Sequence, residues 1–298
     1  MKHVLPTLSL CLAIATPAAF SADIAAFTAK VSDDDKAKIR QALPAAAPVK
    51  VKAPRKLLVC TLTKGFRHKS IPTGVYALDE LGKKTGAFTV THTENPADFA
   101  ASNLAKYDGV VMLNTTGTLF KDPAMRKGFV EYIKSGKAII GIHSATDTFH
   151  DWAEYGLMMG GYFHGHPWNA HSKIRLKMED PDHPTLKAFG GKPYDTQDEI
   201  YQYKDTPYSR DRLRILYSLD PSGTDMTSPG MKKKMRRKDG DYAVGWVQQY
   251  GKGRLFYSNL GHNNQTYWDP TILQHFLAGI QFACGDLDGA TAPSGPLK

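Results

Sequence analysis

Eleven histidines are spread unevenly over the 298 residues, and four polar loops that follow apolar runs hold most of them. GFRHKS carries His68 beside Arg67, and GIHSATDTFH carries His143, Asp147 and His150. YFHGHPWNAH carries His164, His166 and His171, and SNLGHNNQ carries His262 next to Asn263. TQDEIYQY opens a strand-like segment on a carboxylate, Glu199. Imidazole nitrogens and a carboxylate oxygen form a donor set suited to a divalent ion such as zinc, and the same residue types line ordinary hydrogen-bonded clefts. No helical HExxH pattern is present, so a metal site requires a fold that carries separate loops to one place. Nothing in the sequence indicates a nucleotide or organic cofactor.

The stretch AIIGIHSATDTF, residues 138–149, poses the chemical question most sharply. An apolar run ends abruptly on His143 and then on small polar residues, as a buried strand does when its last residue serves a crevice. A core histidine with satisfied hydrogen bonds can occupy the same place. Ser144, directly after it, suggests a serine hydrolase, but the GxSxG turn that exposes such a nucleophile is missing. His68 can simply pair with an acid. His164 and His166 would face one side of a strand, yet Gly165 and Pro167 argue for a loop, which leaves one of the two as the functional candidate. His92, His183 and His275 have no comparable context.

These residues need elements to hold them. RKLLVCTL from Arg55 is a continuous apolar run of strand length, followed by a polar loop. TGVYALDELGKK, residues 73–84, has apolar residues at helical spacing, and FTVTHTE alternates as a strand. YDGVVMLNTTG reads as a buried strand, PAMRKGFVEYIKSG as an amphipathic helix closed by Gly136, and AIIGIH as the next strand. This alternation predicts an α/β fold: a doubly wound, mostly parallel sheet flanked by helices, with ligands beyond the carboxyl ends of the strands. GFRH, NTTGT and HSATD then share one rim. In the second half HSKIRLKMEDPDHP, DEIYQYK, RLRILYSLD, DYAVGWVQQY and GRLFYSNLG predict additional antiparallel strands before a final helix, DPTILQHFLAGIQFAC.

Composition narrows the class. An apolar fraction of 42% and a charged fraction of 22% suit a folded soluble protein. Residues 1–21 read as a secretory signal peptide, which predicts a periplasmic or secreted protein with no integral membrane segment once mature. Residues 22–54 read as an Ala/Pro-rich N-terminal segment and linker, with SDDDKAKIRQAL as one short helix; residues 55–285 form the domain and 286–298 a disordered tail. Cys60 and Cys284 lack metal-site spacing and read as small core residues. The net charge is +9, and six cations sit in MKKKMRRKDGD, residues 231–241. That run reads as a solvated surface loop or as an anion-binding loop. No nucleic-acid motif accompanies it.

KLLVCTLTKGFRHKSI, AIIGIHSATDTF, GGYFHGHP, DEIYQY and VGWVQQYGKGRLFYSNLGH, in that order, resemble the ThuA-like (trehalose utilisation) family over about residues 55–284. The resemblance implies a fold like the class I glutamine amidotransferases. In those enzymes this strand ends on a GxCxG turn whose cysteine attacks a glutamine amide; here GIHSA places His143 at that position. Thioester glutaminase chemistry is therefore excluded, because no thiol stands on the turn. The resemblance also implies a small-molecule carbohydrate substrate, a disaccharide or its keto-derivative.

The sequence therefore predicts an exported enzyme of carbohydrate catabolism, working through a histidine/carboxylate crevice that can hold a divalent metal, zinc before others. His143, Glu199, His68 and Asp147 are its candidate catalytic residues, and His143, His166 and His262 its candidate metal ligands. Glu199 is the expected general base, on the argument that an apolar wall raises a carboxylate pKa toward neutrality. Arg67, Ser144, Tyr162, Phe163, Trp168 and Asn263 are the candidate substrate contacts, with the three aromatics able to stack on a sugar ring. A non-catalytic sugar-binding or interaction protein on the same fold is the alternative.

Overall fold

In the computed structural model, residues 24–51 and 53–297 are described. The signal peptide expected over residues 1–21 lies outside them. Nine strands form one sheet: β1 (Arg55–Cys60), β2 (Phe88–Thr93), β3 (Gly109–Leu113), β4 (Ala138–Ile142), β5 (Lys173–Met178), β6 (Tyr194–Gln197), β7 (Arg214–Leu219), β8 (Ala243–Tyr250) and β9 (Gly253–Ser258). Their spatial order is β2-β1-β3-β4-β9-β8-β7-β5-β6. The first five in that order run parallel. From β9 onward each neighbour is antiparallel. This is the sheet expected from the sequence, a parallel half extended by antiparallel strands.

β3 and β4 are buried at every position, as strands with both faces covered must be. Helices α2 (Ile71–Thr85) and α6 (Pro270–Ala283) carry Val75, Leu78, Leu273 and Phe276 into the core on one face. Helices α3 (Pro123–Lys134) and α4 (Ala153–Met159) carry Phe129, Ile133, Tyr155 and Met158 into the core on the other. α3 starts on Asp122, whose carboxylate accepts from the amides of Ala124 and Met125, with Pro123 behind it; both features favour a helix start. Cys60 and Cys284 are free thiols.

DEIYQYK, expected as a strand, departs from the sheet. β6 is the preceding YDTQ, while Asp198–Tyr203 pairs with residues 162–168 through isolated bridges, Phe163 to Tyr203 and Trp168 to Ile200. Alternate amides are used there: Ile200 N–H donates to the Trp168 carbonyl, Gln202 N–H to Gly165, and Lys204 N–H to Tyr162. The period-2 pattern was present, but its partner is a crevice loop. The basic run also contains order, with helix α5 at Pro229–Lys234.

The N-terminal segment packs on the domain. Helix α1 (Asp33–Ala42) is capped by Ser32 and buries Ile39. Farther on, Val49 exchanges hydrogen bonds through both its amide and its carbonyl with the Gln281 side chain on α6. The stretch expected as a linker is thus fastened to the domain at Val49.

Candidate metal centre

His143 is the residue after β4, and its backbone sits at φ 49°. That left-handed conformation is sparsely populated for a side chain of this size, and a strained residue at a strand end is a frequent mark of a functional site. Neighbouring bonds hold it: the His143 carbonyl accepts from Tyr257 Oη at 2.7 Å, and Nδ1 lies 2.7 Å from the Asn259 carbonyl. Space beside it is provided by Gly261, at φ 136°, where a Cβ would stand 2.8 Å from the Tyr267 hydroxyl and 2.9 Å from Ile142. Only glycine fits there.

Three loops converge on this residue. The loop after β1 supplies His68, the turn after β4 supplies His143, and the loop after β9 supplies His262. The three rings stand nearly perpendicular to one another, with centroids 4.7 Å apart for His68–His143, 5.0 Å for His68–His262 and 5.3 Å for His143–His262. Glu199 enters from the bridge segment; Oε1 is 3.7 Å from His143 Nε2 and 3.2 Å from His262 Nδ1, and Oε2 is 3.1 Å from His166 Nδ1. One donor atom from each of His68, His143, Glu199 and His262 falls within 4.8 Å of all the others. His68, His143 and Glu199 are buried, and His262 is half-buried.

Apart from these contacts with the Glu199 carboxylate, the nitrogens of His143, His262 and His166 that face this point have no hydrogen-bond partner. His143 Nε2, His262 Nδ1 and His166 Nδ1 are buried and unpartnered although the carboxylate is near each of them. Buried polar atoms in folded proteins are ordinarily paired, so several orphaned nitrogens around one carboxylate fit the donor set of a cation. Nitrogen and oxygen donors at this number suit zinc. The imidazoles differ in their protonation. Burial, joined by the charges of His143 and His262, pushes the His68 imidazole down to about 2, leaving it neutral. Burial likewise lowers His166, against the pull of Glu199. For His262 burial is outweighed by Glu199 and Asp198, which raise it.

Glu199 corrects an expectation. Burial does act to raise its pKa, but the His143 and His262 imidazoles outweigh it and hold the carboxyl well below the usual carboxylate range. A carboxylate so stabilised is a poor base and a good anchor for positive charge. The acid whose pKa is raised by burial is its neighbour Asp198, which is fully buried. Asp198 Oδ2 accepts from Gly261 N–H and Thr266 Oγ1, both at 2.8 Å, and Oδ1 from Glu199 N–H at 2.9 Å and Asn263 N–H at 3.2 Å. It ties the Glu199 segment to the His262 loop. Sequence reasoning missed it; the adjacent pair Asp198–Glu199 was the available signal.

The other sequence candidates occupy different places. Asp147 pairs with His150 at 3.0 Å on the rim, both about one-third exposed. Arg67 is held by Glu94 at 2.7 Å. Ser144 is fully buried, with Oγ 3.4 Å from His68 Nδ1. Tyr162 donates its hydroxyl to Phe149 and Trp152 carbonyls inside the core. Trp168 is also largely buried, its indole N–H on the Asp225 carbonyl. Phe163 is partly exposed and stacks at 6.0 Å on His166. The Asn263 side chain clamps the Ala170 and Gln197 carbonyls. The exposed aromatic at the cluster is Phe66, 64% exposed and edge-on to His68 with ring centroids 4.8 Å apart. It had no periodicity to mark it.

Among solved structures, a ThuA-like protein from Bacteroides uniformis ATCC 8492 superposes with a TM-score of 0.62 at 22% identity, covering 78% of this chain and 93% of that one. A ThuA-like protein from Parabacteroides merdae ATCC 43184 gives 0.57 at 18% identity, covering 80% and 93%. Both show the same fold. No functionally curated protein matches the chain. The model of the ThuA family, described as trehalose utilisation, matches residues 56–283, a span that contains every histidine and the carboxylate of the cluster, and the chain belongs to that family.

Proposed function

We propose that this protein is an exported, metal-dependent enzyme acting on a carbohydrate, a disaccharide or its keto-derivative. The observation that carries the reading is the set of orphaned nitrogens of His143, His262 and His166 around the buried Glu199 carboxylate. His68, His143, His262 and Glu199 would hold the ion, and zinc suits them. A divalent ion there supplies Lewis acidity, which polarises a sugar carbonyl or hydroxyl.

The protein's own groups provide the rest. Glu199, its pKa held low by the neighbouring imidazoles, offsets the charge of the ion and fixes His262 and His166 around it. His166 stands on the open side with its side chain 37% exposed, placed to take up or return a proton at the ring nitrogen nearest the bound molecule. Phe66 offers an apolar face at the mouth, as aromatic rings do for the C–H faces of sugars. The family's description as trehalose utilisation supports the carbohydrate class.

The test is elemental analysis of the purified protein and of His143→Ala, alongside consumption of trehalose and of its keto-derivative with and without a chelator. Near-stoichiometric zinc that is lost in the variant, with turnover abolished by the chelator, supports the reading. Metal-free protein that is fully active removes it. Stoichiometric zinc and tight sugar binding without turnover would instead identify a binding protein.

A further inference from the structure

The basic run of residues 231–238 is fastened against the crevice. Gln202, buried in the bridge segment, does the fastening: its carbonyl accepts from His164 N–H at 2.7 Å and its amide donates to Gly165 at 2.8 Å. Its side-chain Oε1 accepts from Arg236 N–H at 2.6 Å and Arg237 N–H at 3.3 Å. One residue thus joins the histidine ribbon to the basic segment. A Cβ on Gly165 would lie 3.8 Å from the Arg236 side chain and 3.9 Å from the Lys234 carbonyl, and Gly165 immediately precedes His166.

The charges in this segment are of two kinds. Arg237 is spoken for, its guanidinium bonded to Asp239, Asp205 and the Tyr203 carbonyl. Lys232, Lys233, Lys234, Arg236 and Lys238 are exposed and, among the described residues, have no ion pair. Between α5 and residues 167–173 lies a cavity of about 490 Å³ that Lys234 and Lys173 both line. The one acid there, Asp225, is already committed to the Thr227 and Ser228 amides. A second cavity of about 370 Å³ is lined by His68 together with Lys30, Arg67 and Lys69 and one acid, Asp35. A neutral sugar gains little from such a field, whereas an oxyanion is drawn in and oriented by it.

We propose that the substrate bears an anionic group, a carboxylate or a phosphate on the sugar, received by Lys234 and Arg236 beside His166. This rests on the site being the metal centre of a carbohydrate enzyme, and it names the substrate class. Lys234 gives a point charge and Arg236 a planar fork, which accept either anion.

Calorimetry on the zinc-loaded protein at low ionic strength, with glucose, glucuronate and glucose 6-phosphate as probes, tests it. At least one acid is expected to bind about tenfold tighter than glucose, with the preference lost in Lys234→Gln/Arg236→Gln. Both side chains are exposed and unpaired, so unchanged circular dichroism should accompany the loss. Preference for glucuronate identifies a carboxylate and preference for glucose 6-phosphate a phosphate. Acids that bind no tighter than glucose, or whose advantage survives both substitutions, overturn the proposal. Stoichiometric zinc without acid preference refutes this inference alone; acid preference that depends on Lys234 and Arg236 in protein that takes up no zinc refutes the metal reading alone.

Discussion

His143 Nδ1 lies 2.7 Å from the backbone carbonyl of Asn259. A carbonyl only accepts, so Nδ1 must carry a hydrogen, and whenever the ring is neutral it is Nε2 that presents the lone pair. Nε2 is the atom that faces Glu199 without a partner. The backbone following β9 therefore sets the tautomer of a side chain following β4, as the outer partners of metal-bound histidines do. Nitrogen-15 spectra of selectively labelled protein should show His143 protonated at Nδ1, with Nε2 shifting on addition of zinc. A ring protonated at Nε2 would refute the assignment.

Asp198 should matter as much as the ligands while touching none of the bound molecule. Asp198→Asn keeps the shape but turns an NH2 toward donors that the carboxylate now accepts. Zinc affinity is expected to fall by about 10–100-fold, the usual effect of losing such a support. Competition with a fluorescent zinc chelator measures it.

Gly261→Ala should cost about 1–3 kcal/mol of stability, because the new methyl overlaps Tyr267 and Ile142 and the φ is adverse. Urea unfolding checks the magnitude. Zinc uptake should weaken in the same variant, since Gly261 abuts the His143 side chain.

Phe66→Ala should leave the melting temperature and zinc content unchanged, the ring being largely exposed. Sugar affinity should drop by about threefold to tenfold, the range expected for an aromatic contact. An unaltered KM would exclude Phe66 from the mouth of the site.

Acid should weaken the fold through His275, away from the metal centre. Burial lowers its pKa from 6.5 to about 4, while its bond to the Thr185 carbonyl resists and His183 adds to the fall. Below pH 6.5 the unfolded chain takes a proton that the folded chain refuses. Stability is thus retained above 6.5 and lost as pH drops toward 4, by up to about 3 kcal/mol. His183, also lowered by burial, acts in the same direction. Urea midpoints from pH 7.5 to 4 should show this slope, and His275→Gln should flatten it.

The sheet was legible because its strands announce themselves: AIIGIH and GVVML are unbroken apolar runs between helices of clear period. His68, His143 and His262 were legible as loop residues at strand ends, since a parallel sheet gathers such ends at one edge. Glu199 was found as a residue but given the wrong protonation, because the imidazoles that set it come from other loops. Tyr162 and Trp168, candidate sugar-stacking rings by residue type, are drawn inside by hydrogen bonds to distant carbonyls, which no local pattern records. Phe66 and Asp198 were missed for the opposite reason, as each lies in a short polar stretch whose value depends on what faces it.

The fastened N-terminal segment has a practical corollary. A clone trimmed to the family boundary at residue 56 would uncover the apolar seat of Ile39 and strip Lys30, Val31 and Asp35 from the chamber beside His68. Such a truncated product should be sticky and have altered ligand selectivity even with every metal donor present. Recombinant work on this protein therefore begins upstream of residue 24.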